Sequence, residues 1–499
     1  MKKISKNPIT NKDYHIPDKL DDSASLKEFI KNNSKNPVVV VQGLGFVGAV
    51  MSLVCANAIN KDYAVIGIDL PTEESYWKIA SLNDGHFPVI SSDPKVKTFY
   101  EQSRKKGNLF ATYDNIAYQL ADVIIVDINL DVQKESSTDG DLTDYNVDLS
   151  SFKSAIKAIG ENAKENVLIL IETTVPPGTT RLAAEIINEE YSKRGISFEN
   201  VSIGHSYERV MPGPNYIDSI QNFYRVYSGI DEKSANETER FLRTIIKTEE
   251  YPLTRLGNTN ATEISKVLEN SYRAMNISFI VEWSRFAEEA GVNLYEVIDA
   301  IRMRPTHKNI MLPGIGVGGY CLTKDPLLAS WAKQNLVNTD KDYLPMSEMA
   351  VLTNDKMPLY AFNFLESFYK KGKLKDKKVK LYGVSYLAGV GDTRYSPVET
   401  FYKLLINQGA LVSLHDPYVS FWEEFGIDVN QDMYNFDEET SIVIFSTGHS
   451  EYIGNDKLIS HLNNQEKLFI YDTIGILDEN EINLLSKKHT VKVLGRGDI

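Results

Sequence analysis

The sequence predicts an α/β protein in which two Rossmann-like, doubly wound domains are joined by a central domain built on a long helix. Three observations lead there. Short runs rich in valine and isoleucine alternate with helical segments between Pro37 and Arg255, the pattern of buried parallel strands and their crossover helices. From Ala261 to Gly291 the alternation gives way to unbroken helical spacing of apolar residues. Strand and helix then alternate again from Val379 onward.

Residues 1–36 read as a polar extension with at most one short helix, Ser25–Asn32. PVVVVQ (Pro37–Gln42) is the first strand, a continuous apolar run as burial on both faces requires. AVMSLVCANAI (Ala49–Ile59) has helical length and composition, and YAVIGIDL (Tyr63–Leu70) is the second strand. DVIIVDI (Asp122–Ile128), VLILIET (Val167–Thr173) and NVSIG (Asn200–Gly204) extend the sheet, with helices such as FKSAIKAIGENA between them. The first α/β domain is therefore drawn over 37–255. The long helix and NLYEVIDAIRM after it define a central domain, 256–350, whose helix is a candidate dimerisation element. In the last domain, 351–499, VKLYGVSY, ALVSLHD, SIVIFST and KLFIYDT are strands and SPVETFYKLLINQG is a helix. The lysine-rich KKGKLKDKKVK (Lys370–Lys380) reads as a solvated connector.

Composition narrows the class. The 499 residues carry 68 acidic and 54 basic side chains, a net charge of −14, so no electrostatic preference for nucleic acid or anionic membranes is expected. Two cysteines are too few for a disulfide framework, which points to a reducing compartment. The beginning, MKKISKNPIT, has no apolar segment behind it, and no run long enough to span a bilayer occurs, so a soluble cytoplasmic protein is expected. No metal site is expected.

GLGFVG (Gly43–Gly48) follows a strand and opens a helix, the context a dinucleotide-binding turn needs. Gly43 allows the tight turn, Gly45 lets backbone approach a pyrophosphate, and Gly48 allows close helix–strand packing. Phe46 and Val47 start the helix whose amides and dipole favour phosphate. Asp69 ends the next strand, where a carboxylate binds the adenosine ribose and repels a 2′-phosphate, favouring NAD over NADP. Cys55, among Leu53, Val54 and Ala56, reads as a small buried hydrophobe.

A second match to the same pattern, in PGIGVGGYCLTKDP (Pro313–Pro326), lacks that context: RMRPTHKNIMLP before it holds two prolines and no strand pattern. Glycine also serves where backbone must approach a ligand or present one residue sharply. Cys321 comes two residues after Gly319 and is followed by Lys324 and Asp325, a polar setting that suits a nucleophile better than a buried structural thiol.

This loop resembles the cysteine loop of the UDP-glucose/GDP-mannose dehydrogenase family, NAD-dependent nucleotide-sugar 6-dehydrogenases. Further motifs stand in the family's order: GLGFVG, ETTVPPGTT (Glu172–Thr180), SYERVMPG (Ser206–Gly213), EISKVLENSYRAMNISF (Glu263–Phe279), TNDKMP (Thr353–Pro358), GDTRYSP (Gly391–Pro397) and HDPY (His415–Tyr418). The resemblance makes 37–255 the NAD-binding domain and 351–499 the UDP-sugar-binding domain of a homodimer formed through the central helix. It implies Cys321 as nucleophile, Glu208 as general base, Thr174 and Asp325 beside the hydrolytic water, and Lys266 and Asn270, one helical turn apart, facing the reacting carbon. Cofactor contacts are implied for Gly43, Gly45, Phe46, Val47, Gly48, Asp69, Thr174 and Lys324. Sugar-nucleotide contacts are implied for Glu208, Arg209, Val210, Lys266, Asn270, His307, Gly316, Gly318, Gly319 and Arg394.

The chemistry calls for these types of residue. Oxidising a primary alcohol to a carboxylate removes two hydrides, and between them cysteine can hold the aldehyde as a thiohemiacetal and then a thioester. A lysine can steady the oxyanion, and a carboxylate can take the proton from water. Four positions depart from the family pattern. DINLDVQ (Asp127–Gln133) replaces a Thr-Pro pair, Tyr320 precedes the cysteine, Leu387 and Ala388 stand where lysine is common, and either Arg304 or His307 takes the place of a substrate arginine. SYERVMPG is nearer the form in UDP-N-acetylhexosamine dehydrogenases, so UDP-N-acetylmannosamine or UDP-N-acetylglucosamine is expected as substrate, in surface-polysaccharide supply. UDP-glucose oxidation, a catalytically silent nucleotide-binding homologue and a two-electron hydroxy-acid dehydrogenase stand as alternatives.

Overall fold

The structure, a computed structural model, describes residues 3–136, 142–210, 213–337, 344–369, 374–437 and 439–499. Its larger sheet has eight strands in the spatial order Thr254–Arg255, Val226–Gly229, Ser202–His205, Leu168–Ile171, Val123–Val126, Val38–Gln42, Ala64–Ile68, Leu109–Thr112. The last six of these are parallel, and in chain order they read 3-2-1-4-5-6 from the Leu109–Thr112 edge, the doubly wound dinucleotide-binding arrangement. Val226–Gly229 then pairs antiparallel with Ser202–His205. The central strand Val38–Gln42 is buried along its whole length, which explains its lack of polar alternation.

Chain contacts divide the molecule into two units. One comprises Met1–Gln133, Asn146–Val267 and Leu328–Asp342; the other comprises Lys134–Tyr145, Leu268–Leu327 and Tyr343–Ile499. The second holds an all-parallel five-stranded sheet in the order Leu411–His415, Lys378–Tyr382, Thr440–Phe445, Phe469–Asp472, Thr490–Val493. That is 2-1-3-4-5 in chain order, the other common doubly wound topology. The long helix runs Thr259–Glu289, 31 residues. Among the described residues no helix is long and apolar enough to cross a membrane.

Two expectations need correction. The extension before Pro37 is more than a polar tail with one helix: Ile4–Lys6 pairs antiparallel with Asp13–His15, and the helix spans Ser23–Asn32. The strands escaped notice because their one buried residue, Ser5, is polar. The lysine-rich connector is also only partly a connector. Its residues 370–373 lie outside the described residues, and its end enters the strand Lys378–Tyr382. There Lys380 is buried, its Nζ donates to Asn435 O at 3.1 Å, and burial pushes its ammonium down to about 8.

Candidate cofactor and active site

In the first unit, strand Val38–Gln42 runs into Gly43, and the helix Phe46–Ala56 follows. Gly43 has φ +98, and a Cβ there would stand 2.2 Å from Asp127 O. A Cβ on Gly48 would stand 1.9 Å from Gly43 O. Gly45 differs: nothing lies within 4 Å of its Cβ position. Packing therefore demands two of the glycines, and the third faces open space at a helix N-terminus, where amides and dipole favour an anion. Tyr216 OH donates to Phe46 O at 2.6 Å and fixes the helix start at Phe46 and Val47. Asp69 Oδ2 accepts Leu44 N–H at 3.0 Å and lies 3.3 Å from Lys78 Nζ, so this carboxylate is braced against the turn. These residues fit a dinucleotide. Replacing Gly45 with valine is expected to leave the melting temperature unchanged, because its φ of −77 suits any residue. Titration calorimetry should show the same variant binding NAD at least ~10-fold more weakly, the equivalent of one good contact.

Behind the turn lies a buried group of charges. Asp127 follows strand Val123–Val126, and its Oδ2 is enclosed without a hydrogen-bond partner. Burial, and then the charge of Glu208, push its carboxyl up to about 8, with Arg225 opposing. Arg225 forms an ion pair with Glu172 in which both side chains are fully buried, and burial pushes its guanidinium down to about 10. The segment lacking the Thr-Pro pair is anchored by Ile128 N–H, which donates to Thr173 Oγ1 at 2.8 Å. Thr174, next along, is half-buried. Glu263 is buried, accepts the amides of Gly178 and Thr180 at 2.7 Å each, and is pushed up to about 7 by burial. Cys55 is fully buried, and burial pushes its thiol up, as a packing residue requires. Arg225 was not singled out in the sequence, and Asp127 and Glu263 stood there only as the first residues of named segments, with no role of their own.

Glu208 and Lys266 come together in this unit. Lys266 Nζ donates to Glu208 O at 2.8 Å, stands 3.7 Å from Glu208 Oε1, and lies 5.5 Å over the Tyr207 ring. The Glu208 carboxylate also accepts Val210 N–H. Arg209 lies 5.7 Å over Tyr207 and 5.5 Å over Phe223. Met211 and Pro212 of the same motif lie outside the described residues.

The second unit gathers Cys321, Asn270, Lys324 and Asp325. Asp325 is fully buried; its Oδ2 accepts Asn270 Nδ2 at 2.7 Å and its Oδ1 accepts Lys324 Nζ at 2.7 Å. Lys324 Nζ also lies 4.6 Å over the Tyr320 ring, so its charge is shared locally instead of resting on the thiol alone. Cys321 is exposed, and its carbonyl accepts the amide of Asp325 at 2.9 Å, which closes the turn. Asn354, given no role of its own within TNDKMP in the sequence, clamps the glycine loop from both sides: its Oδ1 accepts Val317 N–H at 2.7 Å and its Nδ2 donates to Val317 O at 2.8 Å. A Cβ on Gly318 would stand 2.4 Å from Tyr395 O, and one on Gly319, at φ +81, 2.7 Å from the Tyr386 ring. Gly316 lies equally close to Asn354 and Pro397.

The cysteine loop therefore rests on the loop leaving strand Lys378–Tyr382, at the switch point of the second sheet. That loop is held by Asp416, whose Oδ2 accepts the amides of Val384 and Ser385 at 2.8 and 3.0 Å and lies 3.1 Å from His449 Nε2. His449 Nδ1 accepts Gly389 N–H at 3.1 Å, which places the ring proton on Nε2. Arg394 is tied to Asp392, Nη2 to Oδ2 at 2.7 Å, and Leu387 is exposed. His307 is not gathered with the others: it sits on the one-turn helix Pro305–His307, exposed, with Nδ1 2.8 Å from Thr306 Oγ1. A separate hollow of about 440 Å³ lies at the amino-terminal strand edge of the first unit, between Pro37, Asp122 and Ser202, at the opposite strand ends from Gly43 and Asp127.

A dinucleotide turn in one α/β sheet and a cysteine-bearing glycine loop on the switch point of another define an NAD-dependent dehydrogenase that handles a second nucleotide. Residues 37–246 match the NAD binding domain of the UDP-glucose/GDP-mannose dehydrogenase family, 260–356 its central domain and 380–479 its UDP binding domain. The chain belongs to that family. A UDP-N-acetyl-D-mannosamine dehydrogenase of Pyrococcus horikoshii is 28% identical over 464 residues, covering 92% of this chain and 100% of the relative. Another from Methanocaldococcus jannaschii is 28% identical over 476 residues, covering 94% and 98%. The solved structure of the Pyrococcus horikoshii UDP-D-ManNAc dehydrogenase matches with a TM-score of 0.75 at 27% identity, covering 93% of this chain and 100% of that one. An NDP-N-acetyl-D-galactosaminuronic acid dehydrogenase from Methanosarcina mazei matches with a TM-score of 0.73 at 25% identity, covering 95% and 98%.

Proposed function

We propose that the chain oxidises C6 of a UDP-N-acetylhexosamine, with UDP-N-acetylmannosamine the first choice, to the uronate in two NAD-dependent steps, supplying surface polysaccharide in the cytoplasm. The observation that carries this reading is the exposed Cys321 on a glycine loop seated against the second nucleotide domain, beside the buried Asn270–Asp325–Lys324 group. The names of the relatives favour the mannosamine sugar.

NAD, when bound, accepts one hydride in each oxidation. Cys321 Sγ adds to the C6 aldehyde to form the thiohemiacetal, and loss of hydride from that carbon leaves a thioester. Water then attacks the thioester carbon. Glu208 takes its proton, Lys266 steadies the oxyanion, and the Cys321 thiolate departs with the uronate released. Asn270 and Lys324 hold the Asp325 carboxylate beside the water, and Thr174 is its second holder. Arg394, pre-set by Asp392, is the cation for the substrate diphosphate. With UDP-N-acetylmannosamine, UDP-N-acetylglucosamine and UDP-glucose offered in turn, two NADH should form per UDP-N-acetylmannosamine consumed. One NADH per sugar, or none across the panel, overturns the reading in favour of a two-electron enzyme or a silent binding homologue.

A homodimer through the central helix belongs to the same proposal. Leu268, Tyr272, Phe279, Trp283 and Phe286 are exposed large apolar residues along this one helix, with Phe279, Trp283 and Phe286 in ring contact at 6.0 and 5.9 Å. Such a stripe calls for a covering partner. Light scattering should give twice the chain mass, and Trp283→Asp should halve it.

A further inference from the structure

We propose that residues 3–33 form a clasp that sets the adenosine end of the NAD site. The proposal rests on the cofactor alone and is independent of the sugar. In this sheet the ribose carboxylate, Asp69, ends the second strand, Ala64–Ile68, and the third strand, Leu109–Thr112, lies beside it. The loops leaving both strands are tied to the extension.

Ser5 is fully buried. Its Oγ donates to Glu73 O at 2.6 Å and accepts Trp77 N–H at 2.9 Å, so one hydroxyl closes the loop after Asp69 onto the start of helix Tyr76–Asn83. Asn7, also buried, donates to Ser81 Oγ at 3.1 Å, and Lys12 pairs with Asp84 where the same helix ends. At the third strand, Asp22 Oδ2 accepts Thr112 Oγ1 at 2.7 Å, and Asp22 N–H donates to Asp114 Oδ2 at 3.1 Å. Asn33 Nδ2 donates to Gly107 O at 2.9 Å just before that strand begins.

The clasped helix carries Lys78, whose Nζ lies 3.3 Å from Asp69 Oδ2, the oxygen that accepts Leu44 N–H in the glycine turn. A continuous path therefore runs from Ser5 through the helix and Lys78 to the carboxylate that meets the ribose. Tyr76, which starts the clasped helix, and Tyr113, just beyond the third strand, stand 6.1 Å apart and link the two clasped segments to each other. The extension lies outside the span that matches the family's NAD binding domain, 37–246. Ser5 and Asp22 are thus positioning residues, acting through the loops they hold.

The test is the full-length chain with Ser5→Ala and Asp22→Asn together, compared with Ser5→Thr. Titration calorimetry should show NAD and ADP-ribose each bound about 10-fold more weakly by the double variant, as loss of the Ser5 hydroxyl's two hydrogen bonds and weakening of the Thr112–Asp22 one imply. Nicotinamide mononucleotide should bind unchanged, KM for NAD should rise by the same factor as the dissociation constant, and kcat should stay within twofold. Ser5→Thr should restore the wild-type values. A lower melting temperature with NAD and ADP-ribose affinities within twofold of wild type overturns the proposal, as does equal weakening of nicotinamide mononucleotide. If the double variant does not fold, Asp22→Asn alone is read by the same criteria. Calorimetry needs no turnover, so a chain inactive on every sugar would still decide the matter.

Discussion

Cys321→Ala should abolish uronate formation, lowering turnover by on the order of 10⁴-fold or more, the scale on which enzymes lose a covalent nucleophile. NAD and the sugar nucleotide should still bind, because the loop does not depend on the thiol. Its shape comes from Asn354 on the Val317 backbone, from Gly319 under the Tyr386 ring, and from the Asp325 amide on Cys321 O. The side chain is exposed, so stability should change by no more than about 0.5 kcal/mol. Without Sγ there is no nucleophile to add to the aldehyde, and at most one NADH should form per sugar. Cys321→Ser should behave similarly, since an alkoxide is a poor leaving group from the ester it would make. NADH counted against sugar consumed, with carboxylate assayed separately, decides the question: a Cys321→Ala variant that makes two NADH and a uronate removes the thiol from the mechanism.

Arg225→Leu should be the most destabilising single change at the site. Arg225 and Glu172 are both fully buried, and removing one partner leaves an uncompensated charge in a dry interior, a loss of about 3–5 kcal/mol. The vacated guanidinium also opposed the upward shift of Asp127, so that carboxyl should move higher still. For units of this size the melting temperature should fall by roughly 10 °C, as scanning calorimetry of the full chain would show. The double change Arg225→Leu with Glu172→Leu should recover most of the loss, because an apolar pair of similar volume is often as stable as a buried ion pair. The exposed pair Arg243–Glu239 is the control, expected to cost less than about 0.5 kcal/mol on Arg243→Ala. Equal effects at the two sites would mean that Glu172 and Arg225 are solvated in solution.

The sequence displayed what rests on pattern. Strands such as Val38–Gln42 and Val123–Val126 are buried on both faces and so read as unbroken apolar runs, and the Gly43 turn sits where strand gives way to helix. The cysteine loop was legible for a similar reason: four glycines, a thiol, a lysine and an aspartate fall within one short segment. What stayed hidden was carried by single polar residues brought in from distant elements. Asn354 lies 37 positions from the backbone that it clamps, and His449 lies 33 from Asp416. Neither spacing has a period that a local reading could detect. Ser5 reads as tail until the burial that makes its hydroxyl a fastener is seen. Lys324 was visible as a cation near the thiol, but its commitment to Asp325 and the Tyr320 ring was not.

Two helices begin just beyond sheet strands of the first unit, Phe46–Ala56 after Gly45 and Thr179–Lys193 after Gly178. Each start would ordinarily welcome a phosphate. At the second, Glu263 already engages the amides of Gly178 and Thr180. Of these two starts, the one at Gly178 is filled by the protein's own carboxylate, brought in from a different helix, and the one at Gly45 is left open to an anion.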